Sequence, residues 1–115
     1  MIRRKNEMKT NERPQMRGGD GVVLSTDLVD PSELMGKGRL FGLTTLEPGC
    51  SIGEHQHDGE AEMFYILEGE ATAYDNGEAV RLYPGDLLYT GDGDRHAIRN
   101  DGDKPLRFIA LILYK

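Results

Sequence analysis

Cysteine is almost absent from this chain: Cys50 stands alone among 115 residues. No internal disulfide can form, and no cysteine-based zinc knuckle can be assembled, which fits a reducing compartment. Nor does any apolar run approach the roughly 20 residues of a membrane span. The opening Met1-Ile2-Arg3-Arg4-Lys5 leads into polar residues instead of an apolar signal core. These absences predict a cytoplasmic protein without a membrane partner. A broad positive surface is missing as well. The net charge is −6, yet the first 17 residues hold six Lys/Arg against Glu7 and Glu12, leaving an acidic remainder. Such a body repels phosphate backbones, so nucleic acid is not an expected partner. Residues 1–20 read as a basic N-terminal arm and residues 21–115 as one compact domain.

What the chain has in excess is glycine, 15 residues of 115, with no repeating period. Past the arm, short apolar runs are cut every six to ten residues by turn formers, the rhythm of an all-β sandwich or barrel. The runs predict strands over Val22–Thr26, Arg39–Leu46, Ser51–His57, Glu62–Glu68, Ala71–Asp75, Glu78–Leu82, Asp86–Thr90, Arg95–Asn100 and Leu106–Tyr114. Asn76-Gly77 suits a two-residue hairpin, because both positions tolerate positive φ. Asp30-Pro31-Ser32-Glu33 predicts one capped helical turn ending before Gly36.

Histidine occurs three times, as His55, His57 and His96. Two positions apart on a strand, His55 and His57 project from the same face. Glu62 follows after the Asp58-Gly59 break, where a returning strand would carry a carboxylate beside the imidazoles. His96 opens another strand behind the loop Gly91-Asp92-Gly93-Asp94. Three neutral imidazoles and one carboxylate suit a divalent first-row metal and leave positions open for water or substrate.

These residues resemble the cupin family. Its first motif, G-x5-H-x-H-x(3,4)-E-x6-G, is met by Gly49, His55, His57, Glu62 and Gly69. Its second, G-x5-P-x-G-x2-H-x3-N, is met by Gly85, Gly93, His96 and Asn100, with Gly91 where the family usually has proline. The resemblance implies a jelly-roll β-barrel with metal ligands His55, His57, Glu62 and His96 pointing inward. It implies a divalent transition metal (manganese, iron, nickel, zinc, cobalt or copper) and often a homodimer, with N-terminal segments packing across the interface. The function it implies is that of a small metalloenzyme acting on an oxygen-rich metabolite, by isomerase, lyase, decarboxylase or dioxygenase chemistry. A second reading is a non-catalytic metal-dependent ligand-binding or sensor module. The third is a purely structural barrel. The carboxylate at Glu62 sets the chain apart from thiol dioxygenases, which resemble the fold but use three histidines alone.

Other residues have a bland reading beside the functional one. Strand alternation sends Glu54 to solvent, whereas Glu60, in the loop, is a candidate partner for a ligand. Asn100 is expected to fix a turn by hydrogen bonding. Phe64 and Ile66 share the face of Glu62 and are candidates for an apolar pocket floor or for ordinary core, while Met63, Tyr65 and Leu67 face the other way. Tyr65, Tyr89 and Arg107 serve as proton donors or anion anchors only if their strands aim them inward. Cys50 reads as a small apolar filler.

Overall fold

The computed structural model describes residues 1–115. Ten strands make up the fold: β1 (Thr10–Pro14), β2 (Val22–Asp27), β3 (Gly38–Leu46), β4 (Ser51–Gln56), β5 (Glu60–Glu68), β6 (Ala71–Asp75), β7 (Glu78–Leu82), β8 (Leu87–Thr90), β9 (Arg95–Arg99) and β10 (Leu106–Tyr114). They pair antiparallel throughout, in a six-stranded sheet ordered β1-β2-β3-β10-β5-β8 and a four-stranded sheet ordered β4-β9-β6-β7. This is the expected jelly-roll, built as two facing sheets whose strand ladders stay separate. No helix is long and apolar enough to cross a membrane.

All nine expected strands are present, with ends displaced by no more than two residues. The tenth, β1, falls inside the basic arm, where Thr10 to Pro14 pairs with Thr26 to Val22. The expected helical turn is a 3-10 turn over Pro31–Leu34. The Asp30 side chain accepts from the Ser32 amide, and Glu33 returns a carboxylate to the Asp30 amide. Asn76 and Gly77 both take positive φ, 51° and 85°, as the hairpin between β6 and β7 requires.

Alternation along the strands places one face of each sheet inside. Phe64, Ile66, Ile98, Leu106 and Phe108 are almost wholly buried there, and the Phe64 and Phe108 rings meet at 4.6 Å. Each such side chain contributes about 1.5–3 kcal/mol by leaving water. Asn100, also fully buried, sits where β9 ends. Its Nδ2 donates to the Leu46 and Lys104 carbonyls at 2.8 Å each, and its Oδ1 accepts from the Gly102 amide at 2.9 Å. The expected turn-fixing role is therefore observed, with the additional result that Asn100 ties this turn to β3 of the opposite sheet. Replacing it strands the buried Leu46 carbonyl and two part-buried backbone groups, at Gly102 and Lys104, and leaves a cavity in place of a fully buried side chain. Asn100→Ala is expected to lower the unfolding free energy by about 2–4 kcal/mol, read by denaturant unfolding at constant m-value.

Candidate metal centre

The strand that carries two of the three histidines is not regular. Ile52 pairs with Ile98 and His55 with His96, so β4 spends three residues where β9 spends two. The extra residue is a β-bulge at Gly53-Glu54. Without it, strict alternation from the inward-facing Ile52 would aim Glu54 and Gln56 into the core. With it, His55 and His57 point inward and Glu54 stays exposed, where it meets Arg95 at 3.5 Å. The bulge also supplies a bond: His55 Nδ1 donates to the Gly53 carbonyl at 2.8 Å. Isolated glycine inside a strand pattern is the sequence signal for such a bulge.

β5 brings Glu62 in from the six-stranded sheet and β9 brings His96. His57, Glu62 and His96 are buried and His55 is half-buried. Their Nε2 and Oε1 atoms converge. Nε2 of His57 and of His96 each lie 3.0 Å from Glu62 Oε1 and 3.0 Å from each other, and His96 Nε2 lies 3.1 Å from His55 Nε2. Donors placed at right angles about 2.1 Å from a common centre are separated by about 3.0 Å, whereas tetrahedral donors at that radius are about 3.4 Å apart. The four separations given above match the first case, and the whole set lies within 4.8 Å.

Protons cannot account for this arrangement in the neutral state. His55 Nδ1–H is spent on the Gly53 carbonyl, and His57 Nδ1–H donates at 2.6 Å to Glu60 Oε2. Each neutral ring then presents a bare Nε2 lone pair. His96 Nδ1 is bonded to the Thr90 hydroxyl at 2.7 Å, so its Nε2 brings at most one proton to three facing acceptors. Lone pairs and a carboxylate gathered in a dry interior call for a cation, and the donor set fits a divalent first-row metal.

The ionisation of the groups follows the same geometry. Burial alone would raise the Glu62 carboxyl, but hydrogen bonds from His57, in its doubly protonated form, and from His96 outweigh it and hold the pKa below the usual range. The hydrogen bond to Glu62 raises His57, against its desolvation and with help from Glu60. Burial pushes His55 down. Glu60 is held at about 2, chiefly by Arg39, whose Nε and Nη2 grip both carboxylate oxygens at 2.8 Å. Arg39, exposed at the cavity rim, is left unpaired by a second bulge between Gly38, opposite Leu113, and Leu40, opposite Ile112. A chain Arg39–Glu60–His57 therefore fixes which ring nitrogen of His57 faces the centre. The expectation for Glu60 is met, while Arg39 carried no sequence signal of its own.

The centre lies in the wall of a cavity of about 220 Å³ between the sheets. Phe64 lines it and stacks on the His96 ring at 4.8 Å, so the pocket-floor reading holds for Phe64. Ile66 belongs to the core below it. Tyr65 and Tyr89 face outward and are exposed, and Arg107 pairs on the outside with Glu68, so none of them supplies a proton or an anchor within the cavity. Cys50 packs half-buried against the core, as a filler would.

Likeness to known proteins agrees with this geometry. An oxalate-binding protein of Thermotoga maritima is 40% identical over 113 residues, covering 98% of this chain and 93% of its own length. A tetracenomycin polyketide synthase protein of Streptomyces glaucescens is 35% identical over 85 residues, 74% of this chain but 57% of that protein. Among solved structures, one from Thermotoga maritima described as a predicted oxalate decarboxylase superposes with a TM-score of 0.95 at 39% identity, over 100% of both chains. Residues 42–112 match the model of the cupin domain. With both motifs, the two-sheet jelly-roll and this match in hand, the chain belongs to the cupin family.

Proposed function

We propose that this cupin binds one divalent transition metal through His55, His57, Glu62 and His96 and holds a small oxygen-rich metabolite against it. The observation that carries the reading is the meeting of Nε2 lone pairs and an ionised carboxylate at about 3.0 Å in a buried site. A metal bound there supplies Lewis-acid or redox chemistry at positions the protein leaves free. Manganese, iron, nickel, zinc, cobalt and copper all suit the donor set. The protein's own part is to set the ring tautomers through Gly53 and Glu60, to keep water scarce with Phe64 and Ile112, and to bound the guest by the size of the cavity. At about 220 Å³, that space lies below the roughly 300–1,000 Å³ of ordinary ligand pockets, so the guest is a small metabolite.

Conversion of that metabolite, by isomerase, lyase, decarboxylase or dioxygenase chemistry, is the first reading. Non-catalytic binding is the second, favoured by one observation: apart from the ligands His55, His57 and Glu62 and the arginines, the only titratable side chain on the cavity wall is Asp27. The name of the oxalate-binding relative supports a small-molecule ligand under either reading.

We also read the chain as a homodimer. The outer face of the larger sheet carries Tyr65, Leu67, Leu87, Tyr89 and Leu113, all exposed, where a solvated sheet face would alternate to polar residues. Apolar side chains of this kind match a second copy of themselves without needing opposite charge. Sedimentation equilibrium is expected to give twice the 12.8 kDa chain mass, and Tyr89→Glu with Leu87→Glu to return the monomer. A monomeric parent protein would remove this reading.

Untagged protein should carry close to one equivalent of metal by elemental analysis, and chelation should lower its melting temperature. Less than about a tenth of an equivalent, with unchanged melting, would end the metal reading. Protons compete for the same nitrogens, and His57 is raised above 6.5 while His55 is lowered. Affinity should therefore be level above the raised His57 pKa. It should begin to fall while the pH is still above 6.5, by up to about tenfold per unit, with His55 adding its competition only at more acid pH. Competition titrations between pH 5 and 8 read this profile.

Glu60→Gln keeps the size of the side chain but weakens its hold on His57 and Arg39. Metal affinity should fall about 10–100-fold at pH 8 while the far-ultraviolet dichroism stays unchanged.

A further inference from the structure

The N-terminal segment does more than extend a sheet. After β1, residues 15–21 form a strap that crosses β4, closed by the Gln15 amide donating to the Gly21 carbonyl at 2.8 Å. Ser51 pins it from both sides: its amide donates to the Asp20 carbonyl, and its hydroxyl accepts from the Asp20 amide. The fit is close enough to exclude a side chain. A Cβ on Gly53 would strike the Arg17 carbonyl, and one on Gly19 would strike the Ser51 carbonyl. Within the strap, Gln15 and Arg17 hold left-handed backbone angles, φ 49° and 55°. Such angles in residues other than glycine cost roughly 1–2 kcal/mol each and persist where surrounding contacts impose them.

Strain of this kind at a docked segment raises the question of what it positions. Arg17 and, from β1, Arg13 line the same cavity as His55, His57 and Glu62. Arg39 lines it too, but both of its carboxylate-facing nitrogens are taken by Glu60. Arg13 and Arg17 have no carboxylate partner within ion-pair distance. The carboxylates on the cavity wall are Asp27 and Glu62. Arg39 and Glu60 cancel, and the two free guanidinium groups balance Asp27 and Glu62. A bound divalent cation then leaves an excess of two positive charges facing the guest.

We propose that Arg13 and Arg17 are the specificity-determining residues of this site, selecting a small doubly charged carboxylate whose outer oxygens they receive while its inner oxygens face the metal. The inference rests on the metal reading above and adds to it the charge of the guest and the side chains that recognise it. The guanidinium fork matches a carboxylate edge in a way that a neutral carbonyl or hydroxyl compound does not reproduce. The left-handed turn at Arg17 and the glycine-to-backbone contacts at Gly19 and Gly53 fix the backbone from which the exposed Arg17 side chain extends at the cavity rim.

The test uses the full chain loaded with Mn(II), with oxalate as probe and oxamide as its neutral analogue of the same shape. Wild type should bind oxalate well above oxamide in calorimetric titration. R13Q and R17Q should each weaken oxalate by about ten- to a hundredfold, leaving oxamide and Mn(II) affinity within about twofold. R17K should recover part of the loss, and R4Q, on the exposed arm, should change nothing. Oxalate affinity unchanged in both variants overturns the proposal while leaving the metal reading intact. Parallel losses for oxalate and oxamide also overturn it, since they report a shape defect. Wild type that takes up neither Mn(II) nor any of iron, nickel, zinc, cobalt and copper overturns the metal reading, and this inference with it.

Discussion

Three imidazole nitrogens and one carboxylate oxygen meet inside a sandwich whose remaining interior is largely apolar, and most of the irregular features of the fold serve that meeting. Left without positive charge, the cluster would be a repulsive knot of lone pairs in a medium that screens poorly. The structure meets the constraint by assigning each imidazole Nδ1 atom elsewhere: to the Gly53 carbonyl, to Glu60 and to the Thr90 hydroxyl. What remains on the inner side of every ring is an Nε2 atom directed at one point.

Two departures from regular strand pairing make this possible. The bulge at Gly53-Glu54 reverses the facing of everything after it in β4 and turns its own carbonyl into the anchor for His55. The bulge at Arg39 swings a guanidinium toward Glu60, which in turn holds His57. Bulges gather at the rims of sheets and beside functional sites because one inserted residue re-aims a side chain with little disturbance elsewhere. Here both re-aimed groups act on histidines of the centre.

The four converging residues were legible in the sequence because their spacing is a property of the chain itself: the H-x-H pair, a carboxylate beyond a glycine break and a third histidine behind a loop. The strands were legible for a similar reason, since period-2 apolar runs cut by turn formers leave little freedom of assignment. β1 was not, because Thr10-Asn11-Glu12-Arg13-Pro14 has no apolar alternation and pairs only because β2 offers it an edge. The facing of His55 and His57 into the core was implied by the family resemblance, but its cause was hidden. Period-2 reasoning gives their common side, whereas the side that Ile52 shares with them depends on the bulge. Arg13, Arg17 and Arg39 carried no sequence signal for a place at the cavity, since that place depends on contacts between segments far apart in sequence.

The donors do not come from one sheet. His55 and His96 stand on strands of the four-stranded sheet and His57 just beyond one, while Glu62 stands on the six-stranded sheet. A cation held among them would be a rivet through the sandwich, joining two layers that otherwise cohere mainly by non-directional apolar contact. Cohesion and chemistry would then depend on the same four atoms. A substitution chosen to alter reactivity at this point would also change how firmly the two halves of the molecule are held together.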